Sequence, residues 1–304
     1  MKADYDDPAT DYNSPDAYIM NGEDFPEGFS KPLDMEMIWL PIWRNVRIPI
    51  ESFTKTDLGD YYVTYPQPYF DACFPGSAPV TLEHPYYIEN APEFLDEPGE
   101  YYFDRDTKVL TYYPFDYEDM NTIDCYIPET EILVKVTGKD GDNKVKNITF
   151  EGIEFKFGGW ERPTKYGFST VQADQVIAPE VESGYMLTPA QVQVDFAQNV
   201  NFLKNEFMHL GSNGLSINNM SNLCLVEGNT FDDISGTTIT LGDYTIIEKN
   251  PLEKYTRKIT VRNNLIRRSG VEYMTPLVAG YYVNNVLVDH NDILDAPYTT
   301  ITMG

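Results

Sequence analysis

The stretch NVNFLKNEF, residues 199–207, decides the fold, because variants of it recur along the second half of the chain. Its apolar side chains stand at every second position, which is typical of a strand with one buried face. The segments that align with it are NITFEGIEF (147–155), NLCLVEGNTF (222–231), KITVRNNLI (258–266) and NVLVDHNDI (285–293). An internal repeat of this kind indicates a chain built from similar units stacked on one another.

Asparagine recurs at one position of the repeat, two residues before its final apolar residue. The positions are Asn205, Asn229, Asn264 and Asn291. Coils this short cannot bury their own apolar face, so they must stack, and stacking places each asparagine above the last in a hydrogen-bonded ladder. The repeat therefore predicts an all-β fold, a parallel β-helix whose coils occupy residues 146–304. A β-sandwich is the alternative, but it does not require asparagine in one fixed register.

The front of the chain predicts a different organisation. Residues 1–35 are acidic and rich in proline and are expected to lie extended, whereas residues 36–145 predict an irregular, β-rich accessory segment. Within that segment, Tyr101–Asp104 and Val109–Tyr113 predict the two strands of a hairpin. The sequence stops on TTITMG (299–304) without a polar capping segment. We therefore expect an open C-terminal end, covered by missing coils or by another chain.

The charge of the chain argues against several partners. Its 304 residues carry 48 acidic and 22 basic side chains, a formal net charge of −26. Nucleic acids and anionic membranes recruit basic surfaces, so neither is expected as a partner. No apolar run reaches the ~18 residues of a membrane span, and the N-terminus shows no signal peptide. The three separated cysteines form no CxxC pair and predict free thiols in the core.

Several motifs resemble right-handed parallel β-helix proteins of polysaccharide-degrading bacteria, nearest to glycoside hydrolase family 141 and its uncharacterised relatives. The motifs are EN-x4-LDEPGE-x-Y-x-DR (89–105), W-x2-P-x3-G (160–167), HLGSNG (209–214), SG-x4-LGD (235–243), GVEY (270–273) and HN-x-I-x3-PY (290–298). The resemblance implies a pectin-lyase-like solenoid, fucosidase or xylanase activity on plant cell-wall polysaccharide, and a secreted or periplasmic location. Such relatives extend further at both ends, so the resemblance also implies that this chain is a fragment of the solenoid.

Glycoside hydrolysis ordinarily needs two carboxylates, about 5 Å apart in retaining enzymes and about 6.5–9.5 Å apart in inverting ones. In a β-helix such a pair can come from neighbouring coils. Asp243 and Glu272 are predicted as the acid and base, because both follow strand ends in long loops and are expected at matching points of successive coils. Asp295 lies close to the last ladder position and is the third catalytic candidate.

Loop side chains that can stack on a sugar or bond its hydroxyls predict the substrate contacts. His209 and His290 are expected on one side of the solenoid, because their positions in the repeat look similar, and either could shuttle a proton. The predicted contacts are Trp160, Gln172 (by resemblance alone), His209, Tyr273, His290 and Tyr298. An acidic cleft suits a neutral polysaccharide or oligosaccharide as the substrate.

Two other functions stay open from the sequence. One is a non-catalytic glycan-binding module, a truncated solenoid that keeps the groove without the chemistry. The other is a Ca²⁺-dependent polysaccharide lyase, in which Arg267 or Arg268 would abstract a proton, although no cluster of aspartates accompanies them. No HxH or HExxH spacing occurs, so no transition-metal site is predicted and calcium is the one cofactor left open.

Overall fold

The computed structural model describes residues 17–24, 29–41, 43–73, 85–243 and 252–303. Contacts divide the chain into two compact units. The first comprises residues 1–125, 162–169 and 177–185, and the second comprises residues 126–161, 170–176 and 186–304. None of the described helices has the length and apolar character that a membrane-spanning helix requires.

Strands dominate the described residues. In chain order they are β1 (Ala17–Met20), β2 (Glu36–Trp39), β3 (Val46–Pro49), β4 (Ser52–Lys55), β5 (Tyr61–Thr64), β6 (Tyr86–Glu89), β7 (Tyr101–Asp104), β8 (Val109–Tyr112), β9 (Val134–Thr137), β10 (Val145–Glu151), β11 (Glu154–Gly158), β12 (Phe168–Ser169), β13 (Gln175–Ile177), β14 (Tyr185–Leu187), β15 (Ala190–Asp195), β16 (Ala197–Leu203), β17 (Glu206–Leu210), β18 (Asn213–Asn218), β19 (Leu225–Glu227), β20 (Thr230–Ile234), β21 (Ile239–Gly242), β22 (Thr256–Arg262), β23 (Leu265–Ser269), β24 (Leu277–Tyr281), β25 (Val283–Asp289), β26 (Asp292–Leu294) and β27 (Ile301–Met303). The helices are α1 (Tyr69–Cys73), α2 (Arg162–Tyr166) and 3₁₀ turns at Gly22–Asp24, Pro32–Asp34, Pro92–Phe94 and Leu252–Lys254.

The first unit is built from antiparallel sheets, ordered β1-β5-β4, β12-β3-β2-β6 and β7-β8 in its described residues. Its core centres on Trp39 and Tyr65, whose rings lie 5.4 Å apart and are fully buried. The predicted hairpin is present as β7 and β8. Part of the segment predicted to lie extended forms strand β1, whereas residues 1–16 and 25–28 lie outside the described residues.

The second unit is a solenoid of three parallel sheets. Sheet I contains β9, β15, β18, β21, β24 and β27; sheet II contains β10, β16, β19, β22 and β25; and sheet III contains β11, β17, β20, β23 and β26. A coil runs through one strand of each sheet in turn, and neighbouring strands are parallel. We call the turns from sheet I to II, II to III and III to I the first, second and third corners. The first coil begins with β9 and therefore takes in residues ahead of 146.

The second corner explains the repeat in the sequence. The stretch 199–207 is not one strand but most of β16 and the start of β17, joined by a two-residue turn at Lys204 and Asn205. The turn's first residue has a left-handed backbone, with φ of 53° at Lys204 and 54° at Asn263. Its second residue is the recurring asparagine, which leaves the strand direction and points along the stack.

The predicted asparagine ladder is confirmed at this corner. The side-chain amide of Asn205 donates to Oδ1 of Asn229 at 3.0 Å, and that of Asn264 donates to Oδ1 of Asn291 at 2.9 Å. The backbone N–H of Asn205 also donates to Oδ1 of Asn229, at 2.9 Å. Because buried polar groups must be paired, these bonds satisfy both the turn and the side chain.

Inward-facing side chains stack in columns along the solenoid and form its core. Phe155, Phe207 and Phe231 stack with ring centroids 4.7 and 4.5 Å apart. In sheet I, Val192 stands opposite Leu215, and Leu215 opposite Ile239, all fully buried. Burial of a large apolar side chain contributes about 1.5–3 kcal/mol, so the columns hold the coils in one register.

The cysteines divide between the core and the surface. Cys73 and Cys224 are buried free thiols, as the sequence predicts. Cys125 is also a free thiol but is exposed, so the expectation of three core thiols is wrong for this residue. It lies between β8 and β9, where its apolar neighbours Ile123, Tyr126 and Ile127 are exposed as well.

Candidate functional site

The third corner gathers most of the candidate residues. Its turn is short in one coil, where Gly211 and Ser212 alone join β17 to β18, and longer in another, where residues 270–276 join β23 to β24. The candidates in these turns or at the adjoining strand ends are Trp160, His209, Glu272, Tyr273, Asp295 and Tyr298. Four of the five coils therefore contribute candidate side chains to one edge of the solenoid.

A column of residues with a left-handed backbone runs along this edge. Four of them are skipped in the register of sheet III, whose paired residues on either side stay aligned, and the fifth directly follows β26. The column consists of Phe157 (φ 59°), His209 (54°), Asp233 (59°), Arg268 (46°) and Asp295 (54°). A left-handed residue interrupts the alternation of a strand and re-aims its side chain. Because every coil has one, the unusual backbone at His209 belongs to the fold rather than to one catalytic group.

His209 and Asp233 make direct contact in this column. Nδ1 of His209 lies 2.7 Å from Oδ2 of Asp233, and both side chains are about half exposed. On its other side the imidazole stacks on Phe157, with ring centroids 5.5 Å apart and planes at 7°. Phe157 in turn stacks on Tyr126 at 4.3 Å. Two aromatic rings, an imidazole and a carboxylate thus follow one another along the edge.

A cavity of about 260 Å³ opens beside this contact. Its lining residues are Pro128, Gly158, Gly159, His209, Leu210, Gly211, Asp233 and Ser235. The backbone nitrogen of Trp160 lies next to Gly211, and the backbone N–H of Glu272 donates to the carbonyl of Ser235 at 3.0 Å. Two of the predicted residues therefore border the cavity, and His209 lines it.

Arg267 and Arg268 share one carboxylate beside this edge. Nε of Arg267 and Nη2 of Arg268 donate to Oδ2 of Asp232 at 2.9 and 2.7 Å. Asp232 is buried, whereas both guanidiniums remain partly exposed. A guanidinium in a protein donates hydrogen bonds and does not lose its proton, so these arginines are suited to binding or structure rather than to proton abstraction.

Asp243 lies elsewhere, at the first corner, directly after β21. Asp195 ends β15 at the same corner and stands opposite Asn218 of β18. Continuing the register of the next pair of strands places Asn218 opposite Gly242, the residue before Asp243. Asp195 and Gly242 are therefore two strands apart. Stacked strands lie ~4.8 Å apart, so the backbones of Asp195 and Asp243 are separated by roughly 10 Å. The loop that follows Asp243, residues 244–251, lies outside the described residues.

The surroundings of Asp195 raise its pKa. Burial raises its pKa above the ordinary 3.8, and the nearby Asp243 carboxylate raises it further. Asn219 and Lys135 act in the opposite direction, with Nδ2 of Asn219 donating to Oδ1 of Asp195 at 2.7 Å. The sequence analysis missed Asp195, although its place at the end of the alternating run QVQVD matches the positions of Asn218 and Gly242.

Two positional expectations from the sequence are wrong. Asp243 and Glu272 do not occupy matching points of successive coils, because Asp243 follows a strand of sheet I and Glu272 follows β23 of sheet III. Likewise His209 belongs to the third corner, whereas His290 is the left-handed residue of the second corner and contacts Asp289 at 2.7 Å. Insertions between strands hide which sheets the strands before Asp243 and Glu272 join. His209 and His290, by contrast, stand on opposite sides of the ladder asparagine in their repeats.

Gln172 is exposed, in a turn where its carbonyl accepts from the backbone N–H of Gln175 at 3.0 Å. Two residues on, Asp174 is fully buried and was also missed. Its carboxylate accepts from Thr240 Oγ1 at 2.7 Å, from Tyr281 OH at 2.8 Å and from Asn213 Nδ2 at 3.1 Å. Burial raises the pKa of Asp174 and its hydrogen bonds lower it, with a net rise. The carboxylate ties this segment to three coils of sheet I.

Within the described ranges, no three His, Cys, Asp or Glu side chains come together as a group able to hold a metal ion. The sequence matches no protein-family model and no curated protein. One solved structure, described as a glycoside hydrolase, matches 95% of this chain with a TM-score of 0.78 and 24% sequence identity. The match covers 56% of that chain, so this sequence spans little more than half of its length. At this identity the likeness shows a shared fold.

Proposed function

We propose that this chain is a right-handed parallel β-helix protein that hydrolyses glycosidic bonds in a polysaccharide, with Asp195 and Asp243 as its acid and base. Right-handedness is supported by a general rule, because connections between parallel strands of one sheet are right-handed in about 98% of cases. The parallel sheets and the solved structure of similar fold agree with this architecture.

The observation that carries the proposal is the pairing of Asp195 with Asp243 at the first corner. Glycosidases need two carboxyl groups whose surroundings push their proton affinities apart. Asp195 is partly buried, bonded to Asn219, and has a raised pKa to which Asp243 contributes. The backbones of the two residues lie roughly 10 Å apart, so both side chains can reach one glycosidic bond.

In this proposal the neutral Asp195 donates its proton to the oxygen of the glycosidic bond as that bond breaks. The Asp243 carboxylate accepts a proton from the attacking water, whose oxygen forms the new bond to the anomeric carbon. One water is consumed and two sugar hydroxyls are produced. Each carboxyl group ends in the opposite protonation state and returns by exchange with solvent.

The finer assignment, to a family 141-type enzyme acting on plant cell-wall glycans, rests on the motifs that resemble that family. The name of the structurally similar protein, glycoside hydrolase, agrees with it. Because that protein is the longer one, groups outside the matched region could contribute to its activity. A secreted or periplasmic location follows from the same resemblance and is proposed with it.

The test is reducing-sugar release from xylan, fucosylated xyloglucan and pectic polysaccharide by the full chain. We expect Asp195→Asn and Asp243→Asn each to lower kcat by at least about 100-fold, since general acid–base catalysis contributes about 10²–10⁴-fold. Glu272→Gln and Asp295→Asn are the matched controls at the third corner. If Glu272→Gln and Asp295→Asn lose activity while Asp195→Asn keeps it, the catalytic residues lie at the third corner instead.

The same screen separates the proposal from its alternatives. Binding without hydrolysis of any substrate would favour a non-catalytic glycan-binding module. Unsaturated products absorbing near 235 nm, formed only with added Ca²⁺, would favour the lyase.

A further inference from the structure

We propose that the cavity at the third corner is a second sugar-binding site, which holds one residue of the polysaccharide apart from the acids of the first corner. Its chemistry rests on the proposed function, because the ligand is taken to be a sugar. The two corners lie at opposite ends of the sheet I strands. Since a strand such as β18 advances about 3.3 Å per residue, its six residues separate the corners by more than one sugar ring.

The polar groups of the cavity match adjacent sugar hydroxyls. Nδ1 of His209 is occupied by Oδ2 of Asp233, at 2.7 Å. Among the described residues, Nε2 of His209 and Oδ1 of Asp233 have no further hydrogen-bond partner. A carboxylate oxygen accepts from one hydroxyl, and the imidazole nitrogen bonds the next one. Both side chains are about half exposed, so a ligand can reach them.

The aromatic stack supplies an apolar surface on the far side of His209, outside the cavity, where the next sugar of a bound chain would lie. Tyr126 is 60% exposed and stacks on Phe157, which stacks on His209. Tyr126 has no second ring partner among the described residues. A sugar ring has an apolar face of C–H groups, and large flat side chains bury such surface at little cost in conformational entropy.

Unpaired buried groups directly behind the lining residues are the second observation. Oε1 of Gln191 and Oγ of Ser212 are buried and have no hydrogen-bond partner among the described residues. A Cβ added at Gly158 would come within 1.6 Å of that Gln191 oxygen, so the amide lies directly against a residue that lines the cavity. Ser212 directly follows Gly211, another lining residue. Because these two atoms are shielded from solvent, a bridging water rather than the sugar itself would pair with them.

The charges around the cavity favour a neutral sugar. Asp233 lines it, and Glu131 lies nearby, where its Oε1 accepts from the backbone N–H of Glu161 at 2.9 Å. A sugar acid would meet these carboxylates with a like charge, and the cations beside this edge, Arg267 and Arg268, are already paired with Asp232. A cavity of about 260 Å³ is slightly smaller than ordinary ligand pockets, which begin near 300 Å³, and suits a single ring rather than an oligosaccharide.

The experiment measures binding by titration calorimetry on the full chain with Asp195→Asn and Asp243→Asn, so that no hydrolysis interferes. The probes are xylohexaose, a fucosylated xyloglucan oligosaccharide and an oligogalacturonate. We expect Asp233→Asn and Tyr126→Ala each to weaken neutral-oligosaccharide binding about tenfold, as expected for one lost hydrogen bond or stacking contact. The matched controls are Glu206→Gln, an exposed carboxylate on the same strand as His209, and Tyr117→Ala, an exposed stacked ring of the first unit.

The outcomes separate this inference from the proposed function. Equal binding by Asp233→Asn, Tyr126→Ala and the controls overturns the second site, even if the wild-type chain hydrolyses glycans. Tighter binding of the oligogalacturonate than of both neutral probes also overturns it. If Asp233→Asn weakens binding but the wild-type chain hydrolyses no substrate, the second site is supported and the catalytic role of Asp195 and Asp243 is contradicted.

Discussion

The side-chain amide of Asn229 donates to Oδ1 of Asn264 at 3.0 Å, across 35 residues of sequence. The same Oδ1 accepts the backbone N–H of Asn229 at 2.9 Å, and the amide also donates to the carbonyl of Phe202 at 3.0 Å. One side chain therefore connects three successive coils. Because this group is buried, its hydrogen bonds have no competition from solvent.

Replacing Asn229 with alanine should destabilise the solenoid by about 2–4 kcal/mol, because several buried partners lose their bonds at once. The measurement is the free energy of unfolding from urea denaturation followed by circular dichroism. Asn201→Ala is the matched control, since Asn201 makes a single exposed bond to Asn199 at 3.3 Å. An equal effect of the two substitutions would contradict a structural role for the ladder.

Asp174 should make stability depend on pH in a defined direction. Its pKa is raised in the folded chain, chiefly by burial, so the folded form holds the proton more tightly than the unfolded form does. Stability from this group is therefore greatest below the ordinary pKa of 3.8 and declines as the pH rises through the folded-state value. The measurement compares the thermal midpoints of the wild type and Asp174→Asn between pH 4 and pH 7. We expect the midpoint of the wild type to fall further than that of the variant as the pH rises. Parallel curves would show that Asp174 does not titrate in this way.

Asp195 predicts the alkaline limb of the pH–rate profile. A general acid must be protonated, and its pKa is raised by burial and by Asp243, so hydrolysis should persist to higher pH than an ordinary aspartate allows. In Asp195→Asn, the residual hydrolysis of substrates with an activated leaving group should lose this limb. Substrates with such leaving groups need little protonation, so they should be the least affected by the substitution. A limb that survives in the variant would assign it to another group.

The thiols should differ sharply in reactivity. Burial raises the pKa of Cys73 to about 12 and that of Cys224 to about 11, whereas Cys125 is exposed. Because the thiolate is the reactive form, one thiol should react with a colorimetric thiol reagent at pH 8 and the other two only after unfolding. Cys125→Ser should abolish the fast reaction. Two fast thiols in the native chain would show that one of the buried sites opens.

The parallel coils and the ladder could be predicted because they depend on a register that recurs in sequence, as in Asn205 and Asn229. The first and third corners could not be predicted, because the residues between their strands vary in number and hide which sheet each strand joins. Glu272 follows LIRRS (265–269), which is a strand of sheet III, and this separates it from Asp243. Asp195 was within reach of the sequence, since QVQVD aligns with GLSIN (214–218).

Asp174 shows the limit of sequence periodicity. It lies between two short strands, in a segment without alternation, and its partners are 39, 66 and 107 residues away. No local pattern distinguishes such a residue from the many solvated aspartates of an acidic chain. Its burial depends on a long connection folding back over sheet I, and such a return path is set by packing rather than by neighbouring residues.

Every described second corner is turned by two residues, whereas the first corner ranges from Phe196 alone to the segment from Asp243 to Tyr255. An insertion at the second corner would break the ladder and every coil beyond it. Insertions at the first and third corners leave the asparagine ladder intact. Loops at the first and third corners can therefore change in length and sequence, by evolution or by design, and with them the ligand that is bound. The second corner meanwhile keeps the fold unchanged.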